Sequence, residues 1–159
     1  MGTVQYREGN KSDIDAMARI RASEWEAEEY WITRIMGYMD RKLHPQKALA
    51  PRVIYVALKN GSVIGFIAGH LTQRYDCDGE LEWINVISGR RGDGIAPELL
   101  CLLAGWFAKQ EALRICVDVD PTNTVARHFY ARHGAEHLNE HWMVWNNIHA
   151  LLREEPKSK

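Results

Sequence analysis

The stretch NVISGRRGDGIAPELL, residues 85–100, runs from an apolar, strand-like segment into a helix through two arginines and two glycines. Glycine loses conformational entropy when a turn forms, and adjacent arginines repel each other, so packing does not explain this composition. A helix N-terminus preceded by glycines can instead fold its free backbone N–H groups around an anion. The stretch therefore predicts a strand, an anion-binding turn and a helix, in that order.

The residues before this stretch predict three antiparallel strands. Residues 53–58 and 63–70 are rich in β-forming side chains, and the Asn60-Gly61 pair between them is a strong hairpin signal. A second turn is predicted at residues 74–79, and a third strand at residues 80–87. These three strands form one antiparallel meander.

The N-terminal part predicts one strand and two helices. Alternating apolar and polar residues predict a strand at residues 4–9, and Ser12 and Asp13 are good starting residues for a first helix. A second helix is predicted at residues 31–42, and Pro45 and Pro51 interrupt the pattern after it.

After the opening stretch, helices and strands alternate. Pro97 fits a first helical turn, and an apolar stripe of leucines with Trp106 and Phe107 follows at helical spacing. The further predicted elements are a strand at 114–119, a helix from about 122 to 133 stopped by Gly134, a strand at 141–145, a short helix, and a polar tail from about 153. We predict a mixed α/β fold whose sheet changes from antiparallel to parallel near residues 80–87.

Length and composition limit the function classes. A chain of 159 residues with a formal net charge of −1 predicts a single domain, residues 1–159, without a charge-driven nucleic-acid partner. The sequence has neither an apolar run of roughly 20 residues nor a signal-peptide core, so no membrane partner is predicted. Cys77, Cys101 and Cys116 are odd in number and predict free thiols in the cytoplasm. A homodimer is compatible with the sequence.

Three kinds of anion site compete for the turn at residues 90–97. A dinucleotide-binding fingerprint fails because Pro97 stands where its last glycine belongs, and a P-loop lacks its Gly-Lys-Ser/Thr. The spacing Arg91-x-x-Gly94-x-Ala96, with Val86 five residues before Arg91, resembles the acyl-CoA signature of the GNAT acetyltransferase superfamily. The anion would then be the pyrophosphate of coenzyme A.

A second block of sequence supports this resemblance. The GNAT family pattern has, in this order, a strand, an asparagine, a small residue, a Phe-Tyr pair and a closing glycine. Six residues resemble it in type and order: Val119, Asn123, Ala126, Phe129, Tyr130 and Gly134. Ser88 and Ala135 depart from the family, which often has proline and phenylalanine there. The resemblance covers residues from about 3 to 147 and implies the GNAT fold, with about six to seven strands and about four to five helices.

The resemblance also implies an activity and a binding site. GNAT enzymes move an acetyl group from acetyl-CoA directly to an amine, so acetyl-CoA is the expected cosubstrate and a small-molecule or peptide amine the expected acceptor. The implied coenzyme A-binding residues are Val86, Ile87, Ser88, Arg91, Gly92, Asp93, Gly94, Ile95, Ala96, Asn123, Ala126, Phe129 and Tyr130.

The reaction needs a base for the ammonium and a proton for the departing thiolate. Glu80 and Glu82 are the candidate bases, and strand alternation predicts both on the same face as Ile84 and Val86. Tyr130 matches the family tyrosine that donates to the sulfur. Surface carboxylates and a core tyrosine with a satisfied hydroxyl are the structural alternatives.

The acceptor region is predicted between the first two helices. Trp25, Glu26, Glu29 and Tyr30 form an acidic, aromatic rim that suits a cationic amine, although a solvated acidic face is an equally simple explanation. No metal site is predicted, because Gly134 interrupts the helical face that would align His133 with the later histidines. The alternative function is a catalytically silent GNAT domain that binds acyl-CoA as a sensor or assembly module.

Overall fold

The computed structural model describes residues 3–42, 48–90 and 93–152. Arg91 and Gly92 of the predicted anion-binding turn, Pro45, and the predicted tail from residue 153 lie outside these ranges. In the described part, one sheet has seven strands in the order β1-β2-β3-β4-β5-β7-β6. The strands are β1 (Gln5–Glu8), β2 (Ala48–Lys59), β3 (Ser62–Thr72), β4 (Gly79–Val86), β5 (Ile115–Asp118), β6 (Glu136–Asn139) and β7 (Trp142–Trp145). The helices are α1 (Ile14–Ala22), α2 (Glu28–Met39), α3 (Ile95–Lys109) and α4 (Thr124–Arg132), with short 3-10 turns at Lys11–Asp13, Arg74–Asp76 and Ile148–Leu151.

The sheet changes direction at β4, as the sequence predicts. Strands β1 to β4 pair antiparallel in chain order, whereas β4 and β5 pair parallel, with Gly79 opposite Ile115. The crossover between these two strands is α3. A side chain at Gly79 would overlap the ring of Phe107, so glycine here allows α3 to pack closely on the sheet.

Each face of the sheet carries its own apolar core. The stripe of α3 contributes Leu99, Leu103 and Phe107 to one core, and Trp31 and Ile35 of α2 belong to the core on the opposite face. The side chains of Leu99 and Ile35 are fully buried. Among the described helices, none has the length and apolarity that crossing a bilayer would need.

Three local predictions differ from the structure. Helix α2 begins at Glu28, three residues before the predicted start, because Ala27 marks the change from extended to helical backbone. Pro51 lies inside β2, at an irregularity in the pairing with β3 between Ala48 and Arg52, where a residue without an N–H is tolerated. Strand β6 was not predicted, because only its pairing with β7 makes it a strand.

A β-bulge in β4 corrects the predicted face of the candidate bases. Ala68 of β3 pairs with Trp83 and Gly69 pairs with Leu81, so Glu82 is the extra residue between two consecutive pairs. The bulge reverses the alternation of side chains. As a result Glu80, which pairs with His70, points to the α2 side of the sheet, whereas Ile84 and Val86 point to α3. The prediction that the glutamates share a face with Ile84 and Val86 is therefore wrong.

Candidate active site

A cleft opens where β4 and β5 separate. The two strands pair only over Gly79–Leu81 and Ile115–Val117, although β4 continues to Val86. The resulting space is about 1440 Å³ and lies between the exposed edge of β4, the N-terminus of α3 and the inner side of α4. The predicted residues that line it are Trp25, Glu80, Glu82, Val86, Gly94, Ile95, Ala96, Asn123, Ala126, Phe129 and Tyr130.

Several predicted residues do not line this cleft. Ile87 packs its side chain between the two cores, and Ser88 and Asp93 lie beside the turn rather than in the cleft. Of the predicted acceptor residues, Glu26, Glu29 and Tyr30 are exposed outside the cleft, and only Trp25 reaches its wall. Among the described residues, His133, His137 and His141 do not converge on a common point.

The N-terminus of α3 forms one end of the cleft. Gly94 precedes the helix with a φ of 80°, a left-handed conformation that favours glycine, and it carries no side-chain cap. Pro97 has no N–H, and the N–H of Glu98 donates to the carbonyl of Gly94. Among the described residues, the N–H groups of Ile95 and Ala96 have no hydrogen-bond acceptor. Two backbone donors at the positive end of a 15-residue helix can therefore receive an anion.

The edge of β4 offers a further backbone donor. The N–H of Ile87 donates to the carbonyl of Ile64, so Ile87 has no free N–H for a ligand. Because hydrogen-bonded residues alternate along an antiparallel pair, the N–H of Val86 points away from β3. Strand β5 does not extend this far, so the Val86 N–H faces the cleft.

The start of α4 forms the opposite wall. The Asn123 side-chain oxygen accepts a hydrogen bond of 3.0 Å from the N–H of Ala126 and thereby caps the helix. The Asn123 side chain thus has a structural role, and its predicted contact with coenzyme A stays a prediction. Val125 at the same end is 80% exposed and lines the cleft, which makes this wall apolar.

Tyr130 lies deep in the cleft. Its ring packs edge-on against Trp145, with 5.7 Å between ring centroids, and only 6% of the residue is exposed. Burial raises the pKa of the Tyr130 hydroxyl, and the positive charge of Arg21 opposes this rise. The hydroxyl has no hydrogen-bond partner among the described residues. Tyr130 is therefore a neutral phenol at neutral pH whose proton is available to a bound molecule.

The candidate bases lie in one cluster but differ in their partners. Glu80 is buried, and its carboxylate lies 3.3 Å from Nε of Arg74 and 3.5 Å from Nε2 of His70. Donor atoms of His70, Glu80 and Glu82 all lie within 4.8 Å of one another. Arg74 already supplies a positive charge to Glu80. The Glu82 carboxylate, by contrast, has no hydrogen-bond donor among the described residues.

The environment of Glu82 changes its acidity. Burial, followed by the neighbouring charge of Glu80, raises the pKa of the Glu82 carboxyl, although His70 and Arg34 oppose the rise. A carboxylate with a raised pKa is a stronger base than an ordinary surface glutamate. The bulge places this group at the wall of the cleft, where it can meet a ligand.

A second cavity of about 670 Å³ shares Glu80, Glu82, Asp118 and His141 with the cleft. Its other walls are Arg34, Arg74, Tyr75, Asn139, Glu140 and Trp142. Burial and the charge of Glu80 raise the pKa of Asp118. Sequence reasoning missed this wall because it is formed by the turn between β6 and β7, and β6 was not predicted. The sequence feature that pointed to this wall was the predicted strand at residues 141–145, which contains His141 and Trp142.

Arg21 joins α1 to the site. Its guanidinium donates a 2.8 Å hydrogen bond to the side chain of Asn85, and Asn85 donates to Glu24 at 3.1 Å. The same guanidinium stacks on Trp31, 4.3 Å from the ring centroid. These contacts hold Glu24 and Trp25 at the wall of the cleft, so the wall is acidic and aromatic.

Comparison with known proteins agrees with this architecture. The sequence pattern of the acetyltransferase (GNAT) family matches residues 14–135. No curated protein sequence matches the chain significantly.

Solved structures resemble the chain in fold. Ard1 from Thermoplasma volcanium is 20% identical, with a TM-score of 0.70 over 89% of this chain and 94% of its own. PaiA N-acetyltransferase from Thermoplasma acidophilum, solved with coenzyme A, is 15% identical, with a TM-score of 0.67 over 89% and 97%. Aminoglycoside 6'-N-acetyltransferase from Acinetobacter haemolyticus is 14% identical, with a TM-score of 0.71 over 85% and 92%. With the family pattern matching most of its length, the chain belongs to the acetyltransferase (GNAT) family.

Proposed function

We propose that this protein is an N-acetyltransferase that moves an acetyl group from acetyl-CoA directly to a primary amine of a small molecule or peptide. The observation that carries the proposal is the pairing of a basic carboxylate, Glu82, with an unbonded phenol, Tyr130, on the walls of one cleft. The three cysteines are free thiols, which agrees with a reducing compartment, and we place the protein in the cytoplasm.

The cleft fits coenzyme A in three respects. The Ile95 and Ala96 N–H groups would receive the pyrophosphate, and Arg90 beside them adds a positive charge. No atom of the described residues lies within 4 Å of the Cβ position of Gly94, so a ligand can approach the backbone there. The Val86 N–H would hold the pantetheine arm. The similar PaiA N-acetyltransferase was solved with coenzyme A, which supports this cosubstrate.

The acceptor amine has to lose a proton before it can attack. An amine with a pKa of about 10.4 is only about 0.04% neutral at pH 7, which corresponds to about 4.6 kcal/mol. Glu82 would accept this proton, because its carboxylate lines the cleft and its pKa is raised above the usual value of a glutamate. Glu80, which is bound to Arg74, would hold the cluster in place.

Bound acetyl-CoA supplies the thioester that the neutral amine attacks. The Tyr130 hydroxyl would donate its proton to the departing sulfur, because no described residue competes for that proton. The positive charge of Arg21 would favour the negative charge that develops beside Tyr130. Backbone N–H groups at the edge of β4 would polarise the thioester carbonyl.

The acceptor side favours a cation. Glu82, Asp118 and Glu140 border the second cavity, and Glu24 with Trp25 borders the cleft. Burial, and after it the charge of Glu80, raises the pKa of both Asp118 and Glu82, and a bound ammonium would favour their carboxylate forms. Trp25, 57% exposed, offers an aromatic face to the same group.

A coupled assay tests the proposal. Purified protein is given acetyl-CoA and a panel of amines, free thiol is measured, and the acetylated amine is identified by mass spectrometry. We expect amine-dependent thiol release and a product 42 Da heavier, with kinetics that require both substrates on the enzyme. Coenzyme A binding without turnover of any amine would instead support the alternative, a silent acyl-CoA-binding module.

A further inference from the structure

His70 is a fully buried histidine beside the proposed base. It belongs to β3, has no exposed surface and pairs with Glu80 across the sheet. Its Nδ1 lies 3.0 Å from the hydroxyl of Tyr38. Its Nε2 points to the glutamate cluster, 3.5 Å from Oε1 of Glu80, but it has no hydrogen-bond partner in the described part of the chain.

An unsatisfied nitrogen in this position is unusual. A buried polar atom without a partner costs about 1–3 kcal/mol, so such atoms are rare and often have a functional reason. A ring nitrogen of His70 and carboxylate oxygens of Glu80 and Glu82 all lie within 4.8 Å of one another, and Glu82 lines the cleft. A proton at Nε2 would be attracted to both carboxylates.

Tyr38 binds Nδ1 of His70, so Nε2 is the ring nitrogen that faces the glutamates. Its hydroxyl is buried with the ring, and burial raises the pKa of Tyr38 well above its usual value, so the group stays a neutral phenol. When Nδ1 carries the imidazole proton it donates to the Tyr38 oxygen, and Nε2 then presents a lone pair to Glu80 and Glu82. In this tautomer the ring can accept a second proton on its glutamate side.

We propose that His70 is a positioning residue that acts through Glu82, taking up at Nε2 the proton that Glu82 has accepted from the acceptor ammonium. In this step the Glu82 O–H bond breaks, the His70 Nε2–H bond forms, Glu82 becomes a carboxylate again and the ring becomes an imidazolium. The proton later returns through Glu82 to solvent in the cleft. The inference rests on the proposed function, because it assumes that Glu82 is the base.

Charged groups of both signs surround the ring and its carboxylate partners. Arg52 of β2 pairs with His70 and stacks on Tyr38 at 4.7 Å, which is a positive charge on the remote side of the ring. The two glutamates lie on the near side. The titratable and charged groups that face the ring or its carboxylate partners are Tyr38 and Arg34 from α2, Arg52 from β2, Glu80 and Glu82 from β4, and Arg74, which binds Glu80.

The pH dependence of His70→Gln tests this role. Without the imidazole, the proton that Glu82 accepts stays on Glu82, and its carboxylate is restored only at higher pH, so the acidic limb of kcat/KM should move to higher pH. A shift of one unit would lower kcat/KM about tenfold on the acidic side and change it less than about twofold above pH 9. Tyr38→Phe keeps the imidazole but frees Nδ1, and we expect a smaller shift in the same direction. His137→Gln, an exposed histidine of β6, is the matched control and should keep the wild-type profile.

Nitrogen NMR of the histidine rings gives a second readout, independent of turnover. The titration of His70 should differ between the wild type and the Glu82→Gln variant, because His70 and Glu82 share a proton. The titration of His137 should be the same in both proteins. If His70→Gln does not fold, Tyr38→Phe and the NMR experiment decide the question. The inference is overturned if Glu82→Gln leaves the titration of His70 unchanged. It is also overturned if the folded His70→Gln or Tyr38→Phe variants keep the wild-type pH profile of kcat/KM. Wild-type protein that turns over no amine overturns the proposed function itself.

Discussion

Leu81 and Trp83 are two residues apart in β4, yet their side chains pack in the two different cores on opposite faces of the sheet. In a regular strand they would share a face. The bulge at Glu82 separates them, and it also brings the Glu82 carboxylate to the wall of the cleft beside Glu80 and His70.

The first prediction concerns Glu82 as the base. Glu82→Gln keeps the size of the side chain but removes its basicity, so kcat/KM at neutral pH should fall by about 10² to 10⁴. The wild-type kcat/KM should rise with pH as Glu82 ionises. Because the pKa of Glu82 is raised, this rise should occur at a higher pH than for an ordinary glutamate. The variant should lack that rise and recover at alkaline pH, where neutral amine is abundant. An unchanged profile would place the base elsewhere.

The second prediction concerns stability. Because the pKa of Glu82 is raised by folding, the folded state holds its proton more tightly than the unfolded state. The free energy of unfolding therefore falls as pH rises through the window above the unfolded value of about 4.3. At pH 7, Glu82→Gln should melt at a higher temperature than wild type, and below pH 4 the difference should vanish. Glu26→Gln, at an exposed loop position, is the control and should melt like wild type throughout.

The third prediction concerns Tyr130. Tyr130→Phe removes a hydroxyl that has no partner in the described residues, so coenzyme A affinity should change little while kcat falls by about 10² to 10⁴. Calorimetry and single-turnover rates separate the two effects. Tyr55→Phe, a half-buried tyrosine of β2 outside the cleft, should keep the wild-type kcat. Equal single-turnover rates for Tyr130→Phe and wild type would show that Tyr130 contributes packing and does not donate the proton.

The fourth prediction concerns the anion-binding end of the cleft. Gly94→Ala introduces a side chain where the backbone has a φ of 80° and a ligand is proposed to approach. We expect coenzyme A affinity to fall at least tenfold by calorimetry. Gly61→Ala is the matched control, because Gly61 also has a φ of 80° and open space around it but lies in the distant β2–β3 hairpin. Equal losses in both variants would show that backbone strain, not ligand contact, causes the effect.

The sequence by itself determined the features that depend on neighbouring residues. Asn60-Gly61 marks the hairpin, and the apolar stripe marks α3, because turn geometry and helical periodicity are local properties. The change from antiparallel to parallel pairing at β4 also followed from the order of elements. Spaced motifs identified the family, which the match over residues 14–135 confirms.

Only the tertiary structure decided how the proposed catalytic groups are arranged. The bulge at Glu82 exists because β3 pairs with β4 in one register, and β6 exists because β7 lies beside it. His70 and Tyr38 are 32 residues apart in sequence and meet only when α2 packs on the sheet. Strand register and burial arise from contacts between distant segments. A periodic pattern therefore cannot reveal which of two glutamates is left without a partner, or that a buried histidine lies behind it.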